Sequence, residues 1–143
     1  MTYWRLFYHV VWATKDREPL IRPDLEQDLW RVIVGKTTAQ GAAVHAVGGT
    51  EDHVHVVASV PPRLALSEFV AQLKGSSSHF VNHKLASSDP FGWQAEYGIL
   101  SFDGKQLDRM VRYVRDQRQH HLERTTIPIL ERVVADEQEA RRL

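Results

Sequence analysis

Apolar and polar residues follow two different periods along this chain, and the changes of period predict its elements. Stretches rich in β-branched and aromatic residues predict four strands, at residues 3 to 14, 42 to 49, 53 to 60 and 93 to 102. Apolar residues at helical spacing predict three helices, at roughly residues 23 to 40, 64 to 85 and 104 to 121. A final amphipathic helix is expected over about residues 128 to 142, within a tail that begins near residue 122.

Residues that start and stop helices support these boundaries. Pro23 with Asp24 opens the first helix, Gly41 ends it, and Asp103 is a suitable N-cap for the third. Residues 86 to 92 read as a loop, and Thr50-Glu51-Asp52 as the link of a β-hairpin. The order β-α-β-β-α-β-α predicts an α+β fold. Its form is a ferredoxin-like or RRM-like antiparallel sheet with helices packed on one face, in one domain over residues 1–143.

The third predicted strand carries the first candidate chemistry, the pair His53 and His55. Side chains alternate along a strand, so both imidazoles face one way while Val54 and Val56 face the other. The rings lie about 7 Å apart along the strand. They can share one cation where other groups complete its coordination. The alternative is a pair of polar residues on the exposed side of a sheet.

The composition limits which atoms can bind a metal and where in the cell the protein is expected. Cysteine is absent from the sequence, so any metal is held by nitrogen and oxygen. The content of 43% hydrophobic and 25% charged residues is ordinary for a globular protein, and the formal net charge is zero. Apolar runs near 18 residues and an N-terminal signal pattern are lacking, so we expect a cytoplasmic protein without a membrane partner.

Two residues of the third predicted helix could complete the site. Tyr113 and Gln117 are four apart and are therefore neighbours on a helix surface. Two imidazole nitrogens with the amide oxygen of Gln117 suit Mg²⁺ or Mn²⁺, with positions left for water and substrate. The alternatives are an ordinary half-buried tyrosine at 113 and plain surface polarity at 117.

Other polar residues have two interpretations each. Lys74 and Ser76, within the run Lys74-Gly75-Ser76-Ser77-Ser78, either contact a phosphate backbone or mark a weak helix centre. Arg109 and Arg112 are either phosphate contacts or part of a solvated basic face. Four histidines are interpreted as ordinary structural residues: His9, His45, His79 and His83. His120 and His121 are placed at the carboxyl end of their helix, where the helix dipole favours partial protonation.

The order of several motifs is more specific than any one of them. The main set is D-H-V-H-V-V-x-S-V-P-P at 52–62, Y-V-x-x-Q at 113–117 and H-H at 120–121. Further segments are W-A-T-K with R-E-P at 12–19, L-K-G-S-S at 73–77, and W-Q with Y-G at 93–98. Over about residues 3 to 121 the chain resembles the single-tyrosine HUH transposases of short bacterial insertion sequences, close relatives of the REP-associated tyrosine transposases.

The resemblance implies a complete reaction. His53, His55 and Gln117 would hold Mg²⁺ or Mn²⁺. Tyr113 would attack a single-stranded DNA phosphate, forming a 5′-phosphotyrosine and freeing a 3′-hydroxyl for strand transfer. The REP-associated relatives can act as monomers, but the expected partners are hairpin DNA at the element ends and a second copy of the chain. In that homodimer, the tyrosine helix of one subunit would serve the metal site of the other.

Two functions from other classes remain open at this stage. A non-catalytic RRM-like module would bind single-stranded nucleic acid by stacking bases on sheet aromatics such as Tyr3 or Phe7. A metal-independent phosphoesterase would need two H-x-S/T motifs. The one similar segment here is His53-Val54-His55, which has histidine where the motif needs serine or threonine, so this function ranks last.

Overall fold

Four strands form one antiparallel sheet in a computed structural model that describes residues 1–85 and 90–143. The strands are β1 (Phe7–Ala13), β2 (Ala43–Gly49), β3 (His53–Ser59) and β4 (Gly98–Phe102). Their spatial order is β2-β3-β1-β4, and every neighbouring pair is antiparallel. This order confirms the predicted ferredoxin-like α+β fold and the hairpin between β2 and β3. Residues 86–89 of the predicted loop lie outside the described residues.

Two long helices cover one face of the sheet: α1 (Pro23–Ala39) and α2 (Leu66–Leu85). The apolar face of each helix packs against every second residue of the strands, and together they form one hydrophobic core. The core includes Leu25, Leu29 and Ile33 of α1, Phe69, Val70 and Leu73 of α2, and Val10, Trp12, Val54 and Val56 of the sheet. Gly41 has a φ of +85°, as expected for the residue that ends α1. None of the helices within the described residues is long and apolar enough to cross a membrane.

The opposite face of the sheet is covered as well, by short helices that follow β4. They are α3 (Leu107–Arg115), α4 (Gln117–Glu123) and α5 (Pro128–Glu131); α6 (Glu137–Ala140) follows them and has no buried residue. A second apolar cluster lies between this group and the sheet, formed by Ala46, Val57, Tyr113, Val114 and Leu130. Phe7, His9 and Val11 of β1 are therefore buried too, although they lie outside the core formed with α1 and α2.

Four predicted elements differ from the observed ones, the first being β1, which begins at Phe7 and not at residue 3. The helix predicted over 104 to 121 begins with a 3-10 turn at Gly104–Gln106 and is interrupted at Asp116, with φ −98° and ψ 24°. Aspartate favours such breaks because its side chain competes for backbone hydrogen bonds. The tail helix predicted over 128 to 142 is two short helices separated by extended backbone, and Asp136 caps the second of them. The last strand is shorter than predicted, with Trp93 joined to Thr14 by an isolated bridge.

Candidate active site

β3 places the two predicted histidines on the same side of the sheet. His53 and His55 are 2% and 0% exposed, and their ring centroids are 5.0 Å apart. Val54, between the two histidines, and Val56, which follows His55, point into the core on the other face of the sheet. The predicted alternation is confirmed. The rings are buried beneath the C-terminal helices, so they are not the exposed polar pair of the alternative interpretation.

Gln117 reaches this pair from the first residue of α4. Its Oε1 lies 3.1 Å from His53 Nε2, and its Nε2 donates to the backbone oxygen of Tyr113 at 3.2 Å. The side chain is 1% exposed. The chain turns at Asp116, immediately before Gln117. The sequence spacing thus identified a neighbour of the histidines, although Gln117 and Tyr113 stand in successive helices and not in one.

A carboxylate that sequence reasoning missed enters the same space. Glu131 is the last residue of α5, and its Oε2 lies 3.1 Å from His55 Nε2 while its Oε1 lies 3.4 Å from His53 Nε2. In the sequence, Glu131 stands among the charges of a segment that reads as an exposed amphipathic tail. The sequence feature that could have pointed to Glu131 is the neighbouring apolar residue Leu130. Leu130 is buried in the second apolar cluster and so holds α5 against the sheet.

The donor set fits a hard divalent cation. One ligand atom each from His53, His55 and Glu131 lie within 4.8 Å of one another, and Gln117 Oε1 borders the same space. Atoms that bind one ion at roughly 2.1 Å and at right angles lie about 3 Å apart. The observed separations of 3.1 to 3.4 Å between these nitrogens and oxygens are close to that value. Two imidazole nitrogens and two oxygens therefore suit Mg²⁺ or Mn²⁺.

Tyr113 lies beside this set within the same chain. Its hydroxyl donates to Glu131 Oε2 at 2.7 Å and accepts from the backbone N–H of Ile127 at 3.0 Å. Burial raises the pKa of Tyr113 to about 12, although the Ile127 N–H acts in the opposite direction. The phenol is therefore protonated at neutral pH. Within one chain the Tyr113 hydroxyl thus contacts the Glu131 carboxylate.

A positive charge on His53 offsets the negative charges of the carboxylates beside it. Burial disfavours its charged form, but hydrogen bonds with Asp52, Glu131 and Gln117 outweigh burial and raise the pKa of His53 to about 9. Burial lowers the pKa of His55. Burial also disfavours the Glu131 carboxylate, but its hydrogen bonds with His53 and His55 hold its pKa well below the usual range. Without a cation, a protonated His53 thus lies between two carboxylates.

Three further histidines border the site: His9, interpreted above as an ordinary structural residue, and His120 and His121, which lie in the last turn of α4 as predicted. His9 Nε2 is 2.8 Å from His55 Nδ1. His121 Nε2 is 2.9 Å from Glu131 Oε1 and 3.2 Å from Gln117 Oε1. The ring of His120 is 4.8 Å from that of Tyr113. Their spacing in the sequence gave no sign of these contacts, because the His9 contact depends on the pairing of β1 with β3 and the other two on how α4 and α5 fold back over the sheet.

The predicted DNA contacts fall into two groups. Lys74 Nζ donates to the backbone oxygens of Gln94 and Ala95 at 2.6 and 3.0 Å, with Glu96 O at 3.4 Å, so its ammonium is engaged within the chain. Ser76 is partly buried in α2. Arg109 and Arg112 are exposed on α3, the helix that carries Tyr113.

Comparisons with known proteins agree with this geometry. The family model described as "Transposase IS200 like" matches residues 2–117. The ISDra2 transposase TnpA of Deinococcus radiodurans is 26% identical over 119 residues, covering 80% of this chain and 85% of the relative. The transposase for insertion sequence element IS200 of Salmonella typhimurium is 26% identical over 77 residues, covering 54% of this chain and 51% of the relative.

Two solved structures share the fold. One is a Deinococcus radiodurans chain described as a transposase, with a TM-score of 0.66 and 23% identity over 81% of this chain and 93% of that chain. The other is a REP-associated tyrosine transposase bound to a REP hairpin. It has a TM-score of 0.63 and 14% identity, and the match covers 85% of this chain and 72% of that one. At these identities both structures support the fold alone.

Proposed function

Since the chain belongs to the IS200-like transposase family, whose model matches residues 2–117, we propose that it cleaves and rejoins single-stranded DNA through Tyr113. The hydroxyl oxygen of Tyr113 bonds to the phosphorus of the scissile phosphate. The bond from phosphorus to the 3′-oxygen breaks, leaving a 5′-phosphotyrosine and a free 3′-hydroxyl. The reverse attack by a 3′-hydroxyl on the phosphotyrosine joins two strands.

One observation supports this proposal above the others: the contact of Tyr113 with a carboxylate that also contacts His55. The Tyr113 hydroxyl donates to Glu131 Oε2, and that oxygen lies 3.1 Å from His55 Nε2. The phenol proton must leave as the oxygen attacks, and this hydrogen bond gives it a first acceptor. The departing 3′-oxygen takes up one proton, so the whole step neither gains nor loses a proton.

His53, His55, Gln117 and Glu131 are the residues that would hold Mg²⁺ or Mn²⁺. A bound cation supplies Lewis-acid polarisation of the phosphate and stabilises its added negative charge. The carboxylate of Glu131 and one phosphate together balance the charge of a divalent cation, and the histidines then bind in the neutral form. The burial of both rings excludes bulk water from their side of the site.

The DNA partner is proposed from charge and from the family. Arg109 and Arg112 are three apart on α3, so both project from the helix that positions the nucleophile. They would bind backbone phosphates next to the cleaved bond. A REP-associated tyrosine transposase of the same fold is bound to a REP hairpin, and we propose a hairpin with a single-stranded flank as the substrate here.

The proposed site is complete in one chain, so we propose cleavage in cis. The homodimer stays a prediction, and analytical ultracentrifugation with and without hairpin DNA tests it. Cis cleavage has its own test, in which Tyr113→Phe is mixed with His53→Ala. Two inactive chains that restore cleavage together would contradict it, because each would then have completed the site of the other.

The central experiment detects the covalent intermediate. A labelled hairpin with a single-stranded flank is incubated with the protein and Mg²⁺ or Mn²⁺, then denatured and run on a gel. We expect a protein–DNA adduct that EDTA abolishes and that Tyr113→Phe lacks. Tyr3→Phe, which changes an exposed tyrosine outside the sheet, is the matched control and keeps the adduct. A normal adduct level in Tyr113→Phe contradicts the proposal.

The non-catalytic RRM-like alternative is disfavoured by the second layer of helices. Such a module stacks bases on exposed sheet aromatics. Phe7 is only 7% exposed, and α3 and α5 contact the sheet on its side. The alternative predicts DNA binding that does not change with EDTA or with His53→Ala.

A further inference from the structure

His9 is a buried histidine that the proposed reaction does not use. It lies on β1, next to β3 in the sheet, and is 1% exposed. Its Nε2 is 2.8 Å from Nδ1 of His55, and the two ring centroids are 5.0 Å apart. The contact joins the nitrogen of His55 that faces away from Glu131, because His55 Nε2 is the atom near that carboxylate.

The chemistry of imidazole makes this contact directional. A neutral imidazole carries its proton on one nitrogen and a lone pair on the other. For His55 to offer the Nε2 lone pair to a cation, its proton must be on Nδ1. His55 Nδ1 then donates to His9 Nε2 at 2.8 Å, where a neutral imidazole offers its lone pair.

His53 shows the same arrangement with different partners. Its Nδ1 lies 2.7 Å from Asp52 Oδ1 and 2.9 Å from the hydroxyl oxygen of Thr50, while its Nε2 faces Gln117. Each histidine thus has one nitrogen toward the site and the other held by a neighbouring side chain. A neutral acceptor behind His55 adds no negative charge to a site that already holds Glu131 and must admit a phosphate.

We propose that His9 is a positioning residue, which accepts a hydrogen bond from His55 Nδ1–H and so fixes the tautomer and ring orientation that direct His55 Nε2 at the cation. The proposal rests on the proposed function for the identity of the site. Outer partners of this kind typically change metal affinity by roughly 10- to 100-fold when removed.

Two substitutions separate this role from simple packing. His9→Gln places an amide oxygen that can still accept from His55 Nδ1, whereas His9→Leu fills much of the space without an acceptor. The matched control is His45→Leu, a histidine of β2 that pairs with Ser59 Oγ at 2.7 Å outside the site. Mn²⁺ affinity is measured by electron paramagnetic resonance, and the thermal midpoint of the cation-free protein is recorded for each variant.

We expect His9→Leu to bind Mn²⁺ roughly 10- to 100-fold more weakly, with His9→Gln and His45→Leu within about threefold of the wild type. Equal losses in His9→Leu and His9→Gln would show a packing role and overturn the proposal. Unchanged Mn²⁺ binding in a folded His9→Leu would overturn it as well.

A measurement on the wild-type protein keeps the test independent of how the variants fold. Long-range ¹H–¹⁵N spectra report which nitrogen of His55 carries the proton. With Mg²⁺ bound we expect the Nδ1–H form, because only without a cation does the Glu131 carboxylate accept from His55 Nε2. An Nε2–H form in the Mg²⁺-bound protein overturns the role of His9. A wild-type protein that binds no Mn²⁺ contradicts the proposed function instead, so the two failures are distinguishable.

Discussion

The Tyr113 hydroxyl and the Glu131 carboxylate are joined by a hydrogen bond of 2.7 Å, although they come from separate helices, α3 and α5. Both oxygens of Glu131 also lie near His55 Nε2, at 3.1 and 3.3 Å. The proposed nucleophile and the proposed cation ligands are therefore held together by one side chain. This contact also fixes the C-terminal segment over the sheet, because the backbone N–H of Ile127 donates to the same hydroxyl.

Glu131→Gln tests this relationship, because it keeps the shape of the side chain and removes its charge. We expect Mn²⁺ affinity to fall by at least about tenfold, since even the loss of an outer partner of a metal ligand typically costs roughly 10- to 100-fold. The pKa of Tyr113 should fall below its raised value, since burial and then the carboxylate hold it up. Electron paramagnetic resonance and NMR titration of labelled tyrosine measure the two effects. Glu139→Gln, in an exposed pair with Arg132, is the control that should change neither.

Gly98 has no side chain, which allows the segment that carries Glu131 to lie close to β4. A Cβ built on Gly98 would lie 1.9 Å from the backbone oxygen of Arg132, the residue after Glu131. We expect Gly98→Ala to displace α5 and to weaken Mn²⁺ binding in the same direction as Glu131→Gln. Gly35→Ala is the control: its Cβ would meet nothing within 4 Å, and alanine should stabilise α1 by up to about 1 kcal/mol. Unchanged Mn²⁺ affinity in Gly98→Ala would contradict the dependence of cation binding on the close approach of α5 to Gly98.

Much of the sheet could be predicted from local pattern. Alternation along β3 placed His53 and His55 on one face because a strand has a strict period of two. Gly41 marked the end of α1 because its backbone conformation, at φ +85°, favours glycine. The interruption at Asp116 could not be predicted from periodicity, because residues 115–121 include no apolar residue that would mark a helix face, and only the packing of α4 on the sheet shows the turn.

The site was predictable where its residues are near in sequence or belong to a spaced motif. Gln117 and Tyr113 are four residues apart and remained neighbours despite the break between α3 and α4. Glu131 and His9 join the site through tertiary contacts over long separations in the chain, so no local period marks them. Their chemistry became visible once α5 was placed over β1 and β3.

Cation binding should depend on pH through His53. Burial disfavours its proton, but Asp52 and the other hydrogen-bond partners raise its pKa to about 9, so without a cation His53 is protonated at neutral pH. A cation at Nε2 must displace that proton, and its apparent affinity should rise by up to about tenfold per pH unit toward pH 9. Calorimetry in buffers of different ionisation enthalpy counts the released proton.

Asp52→Asn is the control for this pH dependence. It removes the strongest contact that raises the pKa of His53, so the rise in affinity should level off at a lower pH.

The free energy of unfolding of the cation-free protein should also depend on pH through His53. A pKa raised in the folded state gives stability that is fully present below the unfolded value of about 6.5 and is lost as pH rises toward 9. A pH-independent Mn²⁺ affinity between pH 6.5 and 9 would contradict the protonated state of His53.

Lys74 should contribute to stability more than to DNA binding. Its ammonium donates to backbone oxygens of the segment before β4, at 2.6 Å for Gln94 and 3.0 Å for Ala95. Lys74→Met keeps the length of the stem and leaves these carbonyls without their donor. We expect a loss of about 1 to 3 kcal/mol in the free energy of unfolding, measured with urea. The salt dependence of hairpin binding should stay that of the wild type.

Arg109 and Arg112 should behave in the opposite way, because both are exposed and stand on the helix of the proposed nucleophile. Each phosphate contact contributes about 0.7 to the slope of log affinity against log salt for single-stranded DNA. The double variant Arg109→Gln with Arg112→Gln should therefore lower that slope by roughly 1.4, with stability changed by less than about 0.5 kcal/mol per site. Fluorescence anisotropy of a labelled hairpin across a salt series gives the slope. An unchanged slope would remove both arginines from the DNA interface, whereas a slope lowered by Lys74→Met would return that lysine to it.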